Sequence, residues 1–530
     1  MDKICKGSNL LRNEGGVIRL PFLVKGDLVV PPVVSREQIS SLFSGADKSA
    51  TYARLPQAQL VREPVIDRKT MKYTGEYIYQ VMPQVNAREL VETDFDRLAG
   101  GLYDLTVEEI LGYVEALLSA LVKNRRLVKQ VFETSRLTSE FPDHFLDRWI
   151  TSFCSVFNRQ TARQMIDTEL SFQGRPGSDF LNGWVEMPVT ASKRGVLKHG
   201  GKLRRPVRAY VRAMPTRQLH ITAGNAPEVP LISALRAVLT KSAAVIKLPY
   251  NAILTGALFA VAAYAAAPEH PLTKNLSVVY WPGGDDEVED IVFMPNAFDR
   301  VVVWGSPETV SSVQSRALFA KVIAFNPRYG VSLIGGKAFS DNLEDVVTKA
   351  SADVMIYNQK SCTSSLVHYV EGTEEQGNVY AAALCKALAE WDKEAPGFVS
   401  PSVIGQIKRM RRGKYANANW LVNNRGGDFS SGVVVMPGGF DILDHPMSRL
   451  VVVRPVANLE DALKYLSQHV STVGIYPEEQ RLRLGDRILA RGASSILPLG
   501  QCEHIYAGMP HDNMRVLSDL VDWKNKAGVL

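Results

Sequence analysis

Cysteine is scarce in this chain: five residues in 530 (Cys5, Cys154, Cys362, Cys385 and Cys502), none in a C-x-x-C pair. An odd, scattered set of thiols suits neither a disulfide framework nor a zinc site, so the reading is a reduced, cytoplasmic chain without a bound metal. Long apolar runs are also missing. The longest, Ala252 to Pro268, is Ala-rich and interrupted by Thr255, Gly256 and Tyr264, which suits a buried helix of an α/β layer and not a membrane span. Met1 to Ser8 lack the apolar core of a secretory signal. No dense basic block is present. Lys and Arg number 61 against 55 Asp and Glu, a net +6 that fits an enzyme handling polyanionic cofactors better than a nucleic-acid binder. The short run Lys408 to Lys414 reads as a solvated helix end or loop. A G-x-G-x-x-G fingerprint is absent, so any dinucleotide must be held at another strand-to-helix junction.

What remains is globular in composition, with 46% hydrophobic and 22% charged residues, and long enough for two or three domains. Val17 to Leu23 reads as a strand. Val107, Ile110, Leu111, Val114, Leu117, Leu118 and Leu121 give one helix from Thr106 to Glu133 an apolar face. Gly174 to Asp179 and Ser192 to Arg208 read as loops. From Arg217 strands and helices alternate. The strands are Gln218–Thr222, Ala244–Leu248, Leu276–Trp281, Arg300–Trp304 and Lys321–Phe325. The helices are Val229–Leu239, Ile253–Ala266, one opening at Asp285, and Pro307–Phe319. Such apolar strands argue for a parallel sheet covered on both faces, with ligands at its carboxyl edge, where Asn225, Lys247 and Ser306 fall.

Three segments carry candidate chemistry. Cys362 sits in Met355-Ile-Tyr-Asn-Gln-Lys-Ser-Cys-Thr-Ser-Ser365, a surround too polar for an inert core thiol, although a buried small hydrophobe is its common role. Asn225, in Ile221-Thr-Ala-Gly-Asn-Ala-Pro227, is either a turn residue or an amide donor to an oxyanion. In Trp304-Gly-Ser-Pro-Glu308 the glycine permits close approach, Ser306 caps a helix and Pro307 fits its first position, leaving N–H groups for a phosphate. The alternative is an ordinary capped helix. Lys247, at a strand end, either meets a ribose or its 2′-phosphate or is simply solvated.

Seven segments in order resemble the aldehyde dehydrogenase superfamily and, more closely, its acyl-CoA reductase branch, typified by the fatty-acid reductase of bacterial bioluminescence. They are Ala223-Gly-Asn-Ala-Pro, Val245-Ile-Lys-Leu-Pro, Val303-Trp-Gly-Ser-Pro-Glu, Leu333-Ile-Gly-Gly-Lys337, Asn358-Gln-Lys-Ser-Cys362, Val470-Ser-Thr-Val-Gly474 and Gly508-Met-Pro-His-Asp512. The resemblance implies an α/β fold with a Rossmann-type cofactor domain, an α/β catalytic domain and a small oligomerisation element. The division expected is 1–330, 331–510 and a C-terminal segment 511–530. It also implies roles: Cys362 as nucleophile, Asn225 as oxyanion amide, Lys247 as ribose or 2′-phosphate contact, and Gly305 to Glu308 (with Ser306 and Pro307) as pyrophosphate site. His511 is either a proton donor or a structural hydrogen-bonder. Two positions depart from the oxidative members. Leu333 stands where they carry a water-activating Glu, and Tyr250 where a ribose-binding Glu is usual.

The expected activity is NADPH-dependent reduction of an acyl thioester, on coenzyme A or an acyl-protein, to the aldehyde through an S-acyl cysteine. An acyl-protein synthetase or acyl-transferase partner and a homo-oligomer are expected with it. An oxidative NAD(P)-dependent aldehyde dehydrogenase and a non-catalytic acyl carrier or scaffold stay open as alternatives.

Overall fold

The computed structural model describes residues 10–43, 50–188, 207–504 and 506–529. Cys5, the first eight residues and most of the loop expected over Ser192–Arg208 lie outside them. Val207 and Arg208 instead open a strand, Val207–Met214.

Pro21 divides the expected strand Val17–Leu23. Val17–Arg19 joins a four-stranded sheet with Tyr52–Leu55, Ala58–Asp67 and Lys72–Pro83, while β1 (Phe22–Val24) and its hairpin partner β2 (Asp27–Val29) edge a different sheet. The expected helix Thr106–Glu133 is also two elements, α1 (Val107–Lys123) and α2 (Arg125–Thr138). Asn124 breaks it: its ψ of 62° leaves the helical region and its side chain caps α2 by accepting from Leu127 N–H. The apolar period runs on through the break because both helices cover the same core. The stretch Gly174–Asp179 is only half loop, since Gly177–Asn182 is helical.

The alternating region folds as its apolar pattern requires. It runs β3 (Arg217–Ile221), α3 (Val229–Leu239), β4 (Ala243–Lys247), α4 (Ile253–Ala266), β5 (Leu276–Val279), β6 (Arg300–Trp304), α5 (Pro307–Arg316) and β7 (Lys321–Phe325). A short helix, Asp286–Val292, precedes β6. β5 and α5 stop short of the expected Trp281 and Phe319. Every residue of α4 from Ile253 to Ala263 is buried, as expected of a helix inside an α/β layer. The sheet order is β7-β6-β3-β4-β5-β1-β2, parallel from β7 to β5. Strand order reverses between β3 and β6, so the loops at their carboxyl ends diverge and open a crevice. Asn225 follows β3 and Gly305 follows β6.

A second seven-stranded sheet begins with β8 (Tyr329–Ile334), followed by helix α6 (Leu343–Met355). Then come β9 (Ser365–Glu371), β10 (Asn419–Arg425), β11 (Asp428–Val435), β12 (Leu450–Val456), β13 (Val470–Tyr476) and β14 (Ser495–Pro498), in the order β10-β11-β12-β9-β8-β13-β14. The basic run at Lys408 lies at the end of helix Pro401–Arg412 and the turn after it. The chain then returns to the first sheet. Leu520 O accepts from the Thr216 hydroxyl at 2.6 Å, and Asp522–Val529 pairs with Val207–Met214 in a three-stranded sheet with Val185–Met187. Among the described residues no helix is long and apolar enough to cross a membrane.

Candidate active site

Cys362 lies on the loop entering β9, at the amino edge of the second sheet, facing the carboxyl edge of the first. Two buried amide side chains hold this loop. Asn358 and Gln359 both have left-handed backbones (φ 53° and 59°), which cost roughly 1–2 kcal/mol each outside glycine. Asn358 donates to Phe398 O (2.9 Å) and accepts from Arg449 Nε (2.6 Å); Gln359 donates to Leu450 O (2.6 Å) and Ser365 O (2.9 Å). These two polar residues therefore anchor the loop and do not line the site. Lys360 likewise pairs with Glu140. From behind, Gly330 N–H donates to Ser364 O, and a Cβ on Gly330 would stand 2.1 Å from Thr363 O, so only glycine permits this approach. The Ser471 hydroxyl donates to Cys362 O.

Across the crevice, the Asn225 amide donates to Lys360 O at 3.4 Å, two residues from the thiol. Close by, Tyr357 donates its hydroxyl to Glu228, at the start of α3, with its ring 4.8 Å from that of Phe145. Asn225 and Cys362, which the sequence places 137 positions apart (362 minus 225), thus share one cleft. Cys362 is half-buried. Burial, with the carboxyl groups of Asp512 and Glu503 adding to it, pushes its thiol up to about 12. Burial thus favours the neutral thiol over the thiolate at Cys362.

The Gly305–Glu308 junction lies at the carboxyl end of β6. Ser306 caps α5 by accepting from Thr309 N–H (3.4 Å), with Pro307 at the first helical position. The exposed Glu308 carboxylate is held below its usual range by the Ser306 hydroxyl and its own backbone N–H. The helix start thus stabilises negative charge, here that of Glu308. Lys247 ends β4 with its ammonium 5.9 Å from the centre of the Tyr280 ring. No carboxylate pairs with it among the described residues, and burial lowers it to about 8.

His511 makes structural hydrogen bonds through its backbone, which exchanges two with Met514 at 2.9 Å. Its ring packs against Phe325 (5.2 Å) and Trp304 (5.6 Å), and burial lowers it to about 3, so it is uncharged at neutral pH. No hydrogen bond joins it to Cys362. His511 and Met514 bridge across a tight turn whose central residues, Asp512 and Asn513, are both left-handed (φ 50° and 66°). It is Asp512 whose charge acts on the thiol.

A family model for acyl-CoA reductases (LuxC) matches residues 202–523. The chain belongs to this family. The long-chain acyl-protein thioester reductase of Vibrio harveyi is 27% identical over 326 residues, covering 59% of this chain and 64% of the relative. The chain thus spans a little under two thirds of the length of the curated relatives it matches. Among solved structures, lactaldehyde dehydrogenase from Escherichia coli (TM-score 0.67, 11% identity, 96% of this chain and 98% of that one) shares the aldehyde dehydrogenase fold. So does NADP-dependent glyceraldehyde-3-phosphate dehydrogenase from Bacillus halodurans C-125, complexed with NADP (TM-score 0.66, 14% identity, 97% and 100%).

Within this site, one expected position has apolar surroundings and one residue was overlooked. Leu333 is fully buried in the core of the second sheet, in register between Tyr369 and Ile475. It lies three residues beyond Gly330, about 10 Å further along the strand at about 3.3 Å per residue, within the apolar cluster that holds Tyr369, Val473 and Ile475. Overlooked was Glu503, on the loop after β14. Asp353 of α6 holds that loop by accepting from Gly500 N–H (2.8 Å) and Cys502 N–H (2.9 Å). Glu503 then accepts from the Thr363 hydroxyl (2.6 Å) and the Ser364 hydroxyl (2.9 Å), the two residues that follow Cys362. Its only sequence signal is a lone acidic residue in a Gly-containing loop.

Proposed function

We propose that this chain reduces an acyl thioester to the aldehyde, with NADPH as donor and an S-acyl Cys362 intermediate. The Asn225 amide beside the Cys362 loop carries the reading, because it sets a preorganised donor where the tetrahedral oxyanion forms. Cys362 sulfur attacks the thioester carbonyl, and the oxyanion is held by Asn225 and by Cys362 N–H, which already faces its own sulfur. Collapse releases the donor thiol and leaves the acyl group on Cys362. NADPH, when held, would supply a hydride to that acyl carbon, after which the C–S bond to Cys362 would break to free the aldehyde and the thiolate; the α5 start would hold the pyrophosphate and Lys247 the 2′-phosphate. With Leu333 in the core, the reductive direction rests on the family's thioester reductases and no longer on that position.

Coenzyme A or an acyl-protein would deliver the acyl group, the second through an acyl-transferring partner. The three-stranded sheet of Val185–Met187, Val207–Met214 and Asp522–Val529 is assigned as the small element that joins copies. Intact-protein mass spectrometry against a panel of acyl-CoAs without NADPH tests the reading. One acyl mass on the peptide holding Cys362 is expected; no adduct, with the thiol free, would favour a non-catalytic carrier.

A further inference from the structure

A neutral thiol cannot attack a thioester, and Asn225, a neutral amide, cannot take its proton. The nearest acceptor chain begins beside the sulfur. Ser361 directly precedes Cys362, and its hydroxyl favours the charged forms of both Cys362 and Glu503. It lies 2.9 Å from the Thr363 hydroxyl, which in turn lies 2.6 Å from Glu503 Oε2. The two hydroxyls that flank Cys362 in sequence are therefore joined to each other and to the Glu503 carboxylate.

We propose that Glu503 receives the Cys362 proton through Ser361 and Thr363 and returns it to the departing thiolate. This deepens the proposed function and rests on it. The S–H bond breaks, each hydroxyl passes one proton and takes one, and an O–H bond forms on Glu503. Sulfur bonds to the acyl carbon, the donor's C–S bond breaks, and the Glu503 proton moves back along the chain to the donor sulfur. No further reactant is needed. Burial raises Glu503 to about 7, which suits a group that must gain and lose a proton near neutrality. The titrating groups around the pair are Asp353 from α6, Tyr357 and Cys362 from the loop, Cys502 beside Glu503, and Asp512, which Arg328 approaches at 3.6 Å.

The test is the pH dependence of Cys362 alkylation by iodoacetamide in the full chain, read as adduct on the Cys362 peptide, beside single-turnover acylation by an acyl-CoA. The parent rate of each should rise through about pH 7 and level off. Glu503→Gln should lower both roughly 10²-fold at pH 8 and remove the inflection near 7. A carboxylate that acts only by its charge predicts the reverse: deleting it eases thiolate formation, so faster alkylation in Glu503→Gln overturns the proposal. Thr363→Val, which cuts the path and leaves Glu503, should slow alkylation as well. An unchanged rate in a folded Thr363→Val protein also overturns it and serves where the Gln variant does not fold. Alkylation needs no acyl substrate, so normal alkylation kinetics with no acylation of the parent would sink the thioester reading and leave the relay standing.

Discussion

The Asn225 side-chain amide reaches the Lys360 carbonyl at 3.4 Å, tying the carboxyl edge of one parallel sheet to the amino edge of the other two residues before Cys362. A contact built this way belongs to neither sheet alone. It exists only when the two are docked, and Tyr357 on Glu228 and Lys360 on Glu140 hold the same loop from outside the second sheet.

Replacing Cys362 by Ala should abolish aldehyde formation and the acyl adduct while leaving the circular dichroism spectrum and NADPH binding unchanged. The thiol makes no side-chain bond that anchors the loop, since Asn358, Gln359 and Gly330 do that. An adduct that maps to Cys154 or Cys385 would refute the assignment.

Asn225→Ala should slow acylation by roughly 10²–10³, the loss of one preorganised oxyanion donor. Rapid-mixing measurement of coenzyme A release reports this step before any hydride transfer. Release at the parent rate would return Asn225 to the role of a turn residue.

Lys247 should favour NADPH over NADH, since no described carboxylate forms an ion pair with it, Glu289 acting on it only at longer range, and Tyr250, 57% exposed, offers no charge to repel a 2′-phosphate. Lys247→Ala should raise KM for NADPH far more than for NADH. Burial lowers the ammonium to about 8, so its charge is present below that pH and lost above it. The KM for NADPH should therefore climb above about pH 8 while that for NADH stays level.

Leu333→Glu should destabilise the fold and add no hydrolytic activity. The new carboxyl would lie unpaired between Tyr369 and Ile475 in a closed core, at a cost of about 3–5 kcal/mol. Urea unfolding measures the first expectation. A variant as stable as the parent that releases free acid from the acyl-enzyme would show that the position does reach the site.

The alternating region was legible because each buried strand is a short β-branched run closed by a turn, and each helix has an apolar face: α3, α4, β6 and β7 fall at the bounds their pattern sets. Local chemistry also made Ser306, Pro307 and the loop of Asn225 readable, since caps and turns are made by neighbours in sequence. Where a choice depended on distant partners, the pattern failed. Pro21 sends Leu20 and Phe22 toward different sheets, and Asn124 interrupts a helix whose apolar period continues unbroken. The strand run around Leu333 looks the same whether that side chain faces a thioester or a core; its pairing with Tyr369 and Ile475 decides. Sequence alone determined the layer architecture and singled out Cys362 and Asn225 as candidates, because these are carried by local pattern and residue type. Tertiary structure decided what surrounds the thiol. Glu503 reaches Thr363 from 140 residues away, His511 turns onto aromatic rings while Asp512 acts on the sulfur, and proximity of that kind arises only once both sheets have packed.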